Sequence, residues 1–366
     1  MILKAGSGFP PFPTGLPKMR IIRKTVQSIS QMARKCKKLF CAPKMKGDFM
    51  KNYKLGKSSV VIPEQVFGCW AIGGTYFTGA EDEKSIAAIK SAIEHGIYAL
   101  DTAPAYGGGH SENLVREAIK GYDRDKIVIS TKLPSQKLAK EDVRPTFEQS
   151  LRDLGQDYVD IYFIHWPSRK GDPIEDTMGE LMKLKNEGKV RCIGLSNFSK
   201  AQIIEARQYG EVDVLQPCWS LIWRYQDNDS LAYAEQEGIG VIPYSPLAQG
   251  ILTGKFTKGY TFPEGDGRNR AAIFQEPYFS QSIDFVDALR PYAEKYGVTL
   301  AQLSLRMCMQ QSFITAPIVG AKRPDQVEDN VKACDFEISA EDFAAIDKMS
   351  KDFAYALPEF KNFFTA

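Results

Sequence analysis

The chain alternates between short, uninterrupted apolar runs and longer segments whose apolar residues recur every three or four positions. Continuous apolar runs are typical of strands that are covered on both faces, as in a parallel sheet. After Lys51 the pattern predicts eight such strands. They begin at Val66, Tyr98, Ile127, Val159, Val190, Val212, Gly240 and Thr315.

The segments between these runs carry the periodicity and the end signals of helices. In EDEKSIAAIKSAIEHG, Ile86, Ile89 and Ile93 share one face, acidic residues lead the segment, and Gly96 stands at the expected end. Eight strand–helix units over about 300 residues predict an α/β fold, a single (β/α)₈ barrel. A doubly wound sheet is the alternative, but no GxGxxG motif follows the first strand, as that fold would favour.

Three further segments extend the predicted barrel. TLAQLSLRMCMQQ and SAEDFAAIDKMS are predicted as two additional helices, and NYKLGKSSVVIP as an N-terminal hairpin that plugs the bottom of the barrel. We expect a leader over 1–49, the barrel over 50–352 and a C-terminal tail over 353–366.

The leader has a composition of its own. It holds eleven Lys or Arg residues and one acid, Asp48, and it lacks the continuous apolar stretch of a secretory signal. An acid-poor basic leader is typical of an organellar transit peptide, but GFPPFPTGLPKM is poor helix material, and Met50 opens a segment that would make a normal protein start. We therefore expect a disordered tail or an over-extended start, and a cytoplasmic protein, rather than an organellar one.

Composition narrows the class of partner. The 366 residues are 43% apolar and 25% charged, as in ordinary globular proteins, and the net charge of +2 favours neither a nucleic-acid nor an anionic-membrane partner. No apolar run approaches the roughly 18 residues of a membrane span. The seven cysteines form no CxxC pair and no metal-ligand spacing, and only three histidines are present. We expect buried free thiols in a reducing compartment and no metal site.

Polar residues stand at the predicted ends of six strands. In (β/α)₈ barrels the chemistry lies at the C-terminal ends of the strands. A single polar residue there can be a satisfied core group, but their coincidence on one face predicts a functional site. These residues are Asp101, Lys132, His165, Ser196 with Asn197, Gln216, and Tyr244 with Ser245.

Six motifs, in their order and spacing, resemble those of aldo-keto reductases from about Tyr53 to Met349. They are LDTAPAYGGGHSE, ISTK, FIHWP, IGLSNF, PYSPLAQGILTGK and PIVGAKRPDQVEDN. The resemblance implies an oxidoreductase that reduces aldehydes or ketones to alcohols, or the reverse, with NADP(H). It carries the family's catalytic tetrad onto Asp101, Tyr106, Lys132 and His165.

The chemistry of these four residue types is consistent with that role. A free tyrosine has a pKa near 10, too high to exchange protons readily at neutral pH. We expect the Lys132 ammonium to lower the pKa of Tyr106 and Asp101 to keep Lys132 charged. His165 would orient the substrate carbonyl by hydrogen bonding.

The resemblance also implies a cofactor site along the strand ends. Asn197 and Gln216 each offer a donor and an acceptor to the nicotinamide carboxamide, and Tyr244 is expected to stack under the ring. Lys322 lies just before Pro324, so a charge and a helix N-terminus coincide where NADP carries its 2′-phosphate. The predicted cofactor residues are Trp70, Ser196, Asn197, Gln216, Tyr244, Ser245, Pro246, Leu247, Gln249, Gly250, Lys255, Gly320, Ala321, Lys322, Gln326 and Asn330. Many family members have a Lys-Ser pair and an arginine where this chain has Gly-Ala-Lys and Gln326, and NADP rather than NAD remains the expectation.

Trp70, Trp166 and Trp223, with Tyr76, are predicted to line an apolar substrate cleft. The expected partner is a small-molecule carbonyl or alcohol; the sequence favours no particular class of carbonyl and no oligomeric state.

Two other functions remain open. One is a cofactor-binding regulatory subunit, like the potassium-channel β subunits that resemble these enzymes; the other is a lyase or hydrolase on the same barrel. The complete tetrad favours turnover.

Overall fold

The computed structural model describes residues 50–358, and every element below lies in that range. The predicted leader over 1–49 and the end of the predicted tail lie outside the described residues. The strands are β1 (Asn52–Lys54), β2 (Val61–Pro63), β3 (Val66–Gly68), β4 (Ala99–Asp101), β5 (Val128–Leu133), β6 (Val159–Ile164), β7 (Val190–Ser196), β8 (Val214–Gln216), β9 (Gly240–Val241) and β10 (Ile318–Gly320).

Eight of these strands form one parallel sheet in the order β10-β3-β4-β5-β6-β7-β8-β9. Backbone hydrogen bonds close the sheet on itself. The Thr315 amide donates to the Val241 carbonyl over 2.8 Å, and the Ile318 amide donates to the Pro243 carbonyl over 2.8 Å. The predicted (β/α)₈ barrel is therefore confirmed.

The first two strands form the predicted hairpin at the bottom of the barrel. They pair antiparallel, with Tyr53 opposite Ile62. Leu55, Val60 and Ile62 are fully buried and share one apolar cluster with residues from the barrel strands. Because these residues fill the interior from below, the opposite end of the barrel is the end left open.

Ten α-helices surround the sheet within the described residues. They are α1 (Asp82–Glu94), α2 (His110–Ala118), α3 (Lys140–Leu154), α4 (Ile174–Asn186), α5 (Lys200–Ala206), α6 (Ala232–Glu237), α7 (Tyr278–Tyr296), α8 (Leu300–Met309), α9 (Pro324–Val331) and α10 (Ala340–Ala356). A plain barrel has eight helices, one after each strand. The two further helices arise because both α7 and α8 lie between β9 and β10, and because α10 follows α9 at the end of the barrel. None of the helices within 50–358 combines the length and apolarity that crossing a membrane requires.

Two details of the helices differ from expectation. The helix α7 was not predicted, although Phe279, Ile283 and Val286 bury one face of it. The helix α10 runs to Ala356, past the expected start of the tail at 353, because Phe353 stacks on Phe285 of α7 with ring centroids 4.9 Å apart.

The cysteines of the described region are free thiols. Cys69, Cys192, Cys218 and Cys308 are buried, and Cys334 is partly buried. Cys36 and Cys41 lie outside the described residues.

Candidate active site

A cavity of about 890 Å³ opens at the C-terminal ends of the strands. Asp101, Tyr106 and His165 line it, together with all the residues predicted to bind the cofactor. Residues from widely separated segments of the sequence therefore share one continuous surface, because parallel strands in a barrel end at the same face.

Lys132 is the centre of the polar network below this cavity. Its side chain is fully buried, and Nζ donates to Oδ1 of Asp101 over 2.6 Å, to the Thr102 carbonyl over 2.8 Å and to the Tyr106 hydroxyl oxygen over 3.1 Å. An ammonium has three N–H donors, and all three are used. Since the Tyr106 oxygen accepts from Lys132, the hydrogen of Tyr106 itself points elsewhere. The cavity that Tyr106 lines is the space open to it.

The Asp101 carboxylate is held at both oxygens. While Oδ1 accepts from Lys132, Oδ2 accepts from Oγ of Ser130 over 2.7 Å and from Nε2 of Gln216 over 2.8 Å. Sequence reasoning missed Ser130. Its signal is position, because Ser130 and Lys132 are two residues apart in β5 and therefore point to the same face of the sheet.

Two opposing effects set the pKa of Tyr106. Burial raises the pKa of Tyr106 to about 12, although Lys132 acts in the predicted direction and lowers it. Lys132 therefore acts on this pKa as expected, but the loss of water around the phenolate outweighs the attraction of one ammonium. Tyr106 is a protonated phenol at neutral pH.

Lys132 is charged, whereas His165 is neutral. Burial works to lower the pKa of Lys132, but the Asp101 carboxylate and Tyr106 raise it above its ordinary value, so the ammonium persists. Burial and the neighbouring Lys132 hold the pKa of His165 well below its usual range. The imidazole is therefore neutral, and its ring stands nearly perpendicular to that of Tyr106 with centroids 5.9 Å apart.

Asn197 ties three strand ends together on the next side of the cavity. Its Nδ2 donates to the His165 carbonyl over 3.0 Å and to Oγ of Ser196 over 2.9 Å, while Oδ1 accepts from the Tyr244 hydroxyl over 2.8 Å. The Ser196 hydroxyl in turn donates to the Gln216 carbonyl over 2.9 Å. These contacts fix the polar floor on which a planar ring can lie.

Left-handed backbone conformations concentrate around the same cavity. Among the described residues, the non-glycine residues with positive φ are Asn197, Ser245, Ala248 and Gln249, in the loops that follow β7 and the β9 segment. Three of the four line the cavity. Such conformations cost about 1–3 kcal/mol each and cluster where structure is constrained for function.

The far end of the cavity is suited to phosphate groups. Within the described residues, Nε2 of Gln249 is buried without a hydrogen-bond partner, while its Oε1 accepts from the Tyr76 hydroxyl over 3.3 Å. Lys255, Arg268 and Lys322 line the same region. The orphaned amide donor and the cations fit the pyrophosphate and phosphates of a dinucleotide.

Lys322 lies where the sequence places it, just before α9, which begins at Pro324 as predicted. Its backbone amide donates to Oε1 of Gln326 over 2.8 Å, and its Nζ donates to the Thr78 carbonyl. Burial and the nearby Arg268 lower the pKa of Lys322. An anion would stabilise the ammonium, whereas the neutral Thr78 carbonyl supplies only a dipole.

Aromatic side chains crowd the entrance beside Tyr106. The Trp70 ring lies 4.6 Å from that of Tyr76, 4.9 Å from that of Phe77 and 6.2 Å from that of Tyr106, between ring centroids. Trp70 and Trp166 line the cavity as predicted, and so does Phe77, which sequence reasoning missed. This end of the cavity is apolar.

Trp223 is not among the residues that line the cavity, and its predicted substrate contact needs correction. It is 4% exposed and packs in the hydrophobic core, with its ring 5.0 Å from that of Tyr225. The cause is the adjacent Arg224, whose guanidinium is buried and donates to Asp347 of α10 over 2.9 Å. This ion pair ties the segment beside Trp223 to α10.

The loops that carry Trp70 and Tyr106 meet backbone to backbone. A Cβ added to Gly73 would lie 2.8 Å from the carbonyl carbon of Tyr106, and a Cβ added to Gly107 would lie 2.2 Å from the Gly73 oxygen. Gly107 also has a φ of +74°. Only glycine fits at either position, and the pair fixes the height of Tyr106 over the barrel.

Glu112, on the helix that follows the Tyr106 loop, is a buried acid outside the cavity. Its Oε1 accepts from Oγ1 of Thr131 over 2.6 Å, and its Oε2 is buried without a hydrogen-bond partner. Burial raises the pKa of Glu112 to about 7, although the hydrogen bond from the Thr131 hydroxyl lowers it. The neighbouring Asp153 raises the pKa further.

Comparison with known proteins points to one family. A model of the aldo/keto reductase family matches residues 65–351. The chain is 36% identical over 285 residues to the aldo-keto reductase YhdN of Bacillus subtilis (strain 168), covering 75% of this chain and 86% of that protein. It is 33% identical over 324 residues to the NADH-specific methylglyoxal reductase of Escherichia coli (strain K12), covering 82% and 99%. It is 32% identical over 308 residues to a probable voltage-gated potassium channel subunit beta of Arabidopsis thaliana, covering 78% and 92%.

Solved structures give the same grouping. The glycerol dehydrogenase AKR11B4 from Gluconobacter oxydans superposes with a TM-score of 0.75 at 30% identity, covering 87% of this chain and 99% of that one. An aldo-keto reductase from Klebsiella pneumoniae in complex with NADPH superposes with a TM-score of 0.67 at 27% identity, again covering 87% and 99%.

Proposed function

Because this chain belongs to the aldo/keto reductase family, it is an oxidoreductase that uses a nicotinamide cofactor with small carbonyl substrates, and we propose that it reduces aldehydes or ketones with NADPH through Tyr106. The observation that carries the proposal is the chain of hydrogen bonds from Asp101 through Lys132 to the Tyr106 oxygen. This chain ends at the wall of the cavity that also holds the predicted cofactor residues.

The residues of this chain would divide the work by charge state. A bound nicotinamide supplies the hydride. Tyr106, protonated at neutral pH, donates its proton to the substrate oxygen, since that hydrogen is not used on Lys132. The Lys132 ammonium then stabilises the phenolate that Tyr106 becomes, and Asp101 keeps the ammonium in place. Neutral His165 donates a hydrogen bond that orients the carbonyl.

Alcohol oxidation uses the same groups in reverse. Tyr106 must then begin as a phenolate, which its raised pKa disfavours at neutral pH. We therefore propose that reduction is the faster direction near neutral pH and that oxidation gains as the solution becomes alkaline.

The preference for NADPH over NADH rests on the cations at the start of α9. Lys322 and Arg268 line the cavity there, and the N-terminus of α9 adds a partial positive charge. The negative charge of Asp325, in the first turn of α9, disfavours binding of a phosphate there. Arg323 pairs with Asp325 over 2.8 Å and offsets this charge. The similar protein from Klebsiella pneumoniae binds NADPH, whereas the similar reductase from Escherichia coli is NADH-specific, so the choice is made by local residues rather than by family.

Similarity to a potassium-channel subunit favours a second candidate, a cofactor-binding regulatory protein. The hydrogen-bonded Asp101, Lys132 and Tyr106 support turnover instead. The test is a panel of small aldehydes and ketones, including methylglyoxal, and alcohols, including glycerol, followed by absorbance of the reduced cofactor. Turnover with NADPH is the expected result; tight cofactor binding without turnover of any carbonyl would overturn the proposal in favour of the regulatory role.

A further inference from the structure

We propose that Ser130 and Gln216 are positioning residues for proton transfer, because together they hold Oδ2 of Asp101 so that Oδ1 stays on Lys132. Their donors lie 2.7 Å and 2.8 Å from that oxygen. This inference rests on the proposed reductase function.

A carboxylate bonded at one oxygen alone can rotate about its Cβ–Cγ bond. Asp101 is 3% exposed, so water does not compete for Oδ2, and the protein must supply its partners. Ser130 comes from β5, which is next to β4, and Gln216 comes from β8, four strands away from β4, so their two bonds hold the carboxylate from two directions. Hydrogen bonds to a charged group are shorter and about twice as strong as neutral ones.

The brace acts on Tyr106 through Lys132. The three N–H donors of Lys132 are shared among Asp101, the Thr102 carbonyl and Tyr106, and a turn of the carboxylate would move the ammonium. The Lys132 contact to Tyr106 is the longest of the three, at 3.1 Å. It is therefore the contact most easily lost when the ammonium shifts, and the phenolate would lose its stabilising charge.

The hydrogen bond to Asp101 also fixes the orientation of the Gln216 amide. A carboxylate only accepts hydrogen bonds, so Gln216 must turn Nε2 toward Asp101, and Oε1 is the end that faces away. Gln216 lines the cavity, so Oε1 is the atom suited to accept an N–H from a cofactor carboxamide. Ser130 is not among the residues that line the cavity and so has no such role. A variant of Ser130 therefore tests positioning without changing a cofactor contact.

The first experiment compares Ser130→Ala with the parent protein. We expect the rate of carbonyl reduction at saturating substrate to fall about tenfold, the size of one charge-assisted hydrogen bond. The midpoint of the pH–rate profile for alcohol oxidation should rise, while the Kd for NADPH, measured by fluorescence titration, should stay within about twofold. Ser130→Thr, which keeps the hydroxyl, should recover most of the rate.

Ser85→Ala is the matched control, because Ser85 on α1 is fully buried and its hydroxyl has no hydrogen-bond partner among the described residues. Both alanine variants lose one buried hydroxyl, and the melting temperature of each shows whether a change in rate comes from a change in stability. Only Ser130→Ala should shift the pH profile of oxidation. A shift of equal size in Ser85→Ala, or none in Ser130→Ala, would overturn the proposal.

The second experiment is a double-mutant cycle between Ser130→Ala and Gln216→Met. Because both side chains hold the same oxygen, the double variant should lose more reduction rate than the product of the two single losses. Independent, multiplicative losses would contradict a shared brace. Absence of carbonyl turnover by the parent protein would instead refute the proposed function, so the two failures are distinguishable.

Discussion

The hydroxyl oxygen of Tyr106 lies 3.1 Å from Nζ of Lys132 and accepts a hydrogen bond from it. An ammonium that donates to a phenol oxygen favours the phenolate, yet burial of the same ring favours the phenol and dominates. The two effects act on the pKa of Tyr106 with opposite signs. Removing the charge of Lys132 should therefore raise this pKa, whereas letting water reach the ring should lower it.

Replacing Tyr106 by Phe tests the proton donor. The variant keeps the ring that packs near Trp70 and removes only the hydroxyl. Carbonyl reduction should fall by about 10²–10⁴-fold, the usual contribution of a general acid. The Kd for NADPH, from fluorescence titration, should hardly change. Parental reduction rates in the variant would show that another group supplies the proton.

Replacing Lys132 by Met tests the sign of the coupling. Lys132 lowers the pKa of Tyr106 from inside a site where burial raises it to about 12, so removing the charge should raise that pKa further. Alcohol oxidation, which needs the phenolate, should then begin at a higher pH than in the parent. Lys132→Arg retains a cation and should move the profile less. A pH–rate profile for oxidation that is unchanged in Lys132→Met would contradict the coupling.

Glu112 predicts how stability depends on pH. Its carboxyl has a pKa of about 7 when folded against a reference value of 4.5, so the folded state holds this proton more tightly than the unfolded state. The contribution to stability is therefore fully present below about pH 4.5 and is lost as the pH rises to about 7. The shift corresponds to about 3 kcal/mol in the free energy of unfolding.

The variant Glu112→Gln should remove this dependence, because glutamine keeps the shape and carries no titrating proton. Melting temperatures of the parent should fall relative to those of the variant between about pH 5 and about pH 8. Parallel curves for the two proteins across this range would mean that Glu112 titrates at its ordinary pH.

Lys322→Ala tests the choice of cofactor. Loss of a charge-assisted contact should weaken NADPH binding roughly ten- to a hundredfold and leave NADH binding almost unchanged. Lys258→Ala is the control, because Lys258 is exposed, pairs with Asp284 and does not line the cavity. If Lys322→Ala weakened both cofactors equally, Lys322 would act through its contact with the Thr78 carbonyl and not through the 2′-phosphate.

Strand ends were the part of the site that the sequence could predict. Asp101 and Gln216 close short apolar runs, and in a barrel such positions converge whatever the length of the chain between them. The bond between these two side chains could not be predicted, because it depends on side-chain rotation across the barrel. Ser130 was overlooked although its position two residues before Lys132 on the same strand was a usable signal.

Other features depend on quantities that a sequence does not state. The sign of the Tyr106 shift depends on how much water burial removes, which only the packed structure shows. Trp223 looked like a cleft residue, but the adjacent Arg224 pairs with Asp347, which is more than a hundred residues away in the sequence. A contact over that separation leaves no local signal.

The close approach of Gly73 and Gly107 has a practical consequence for redesign of the specificity. The two loops must be exchanged together. Grafting either loop alone from a related protein would force a side chain into the neighbouring backbone unless both glycines were retained. Combinatorial libraries should hold Gly73 and Gly107 constant and diversify Trp70, Phe77 and Trp166 instead. A library built this way would explore new entrances while the height of Tyr106 stays constant.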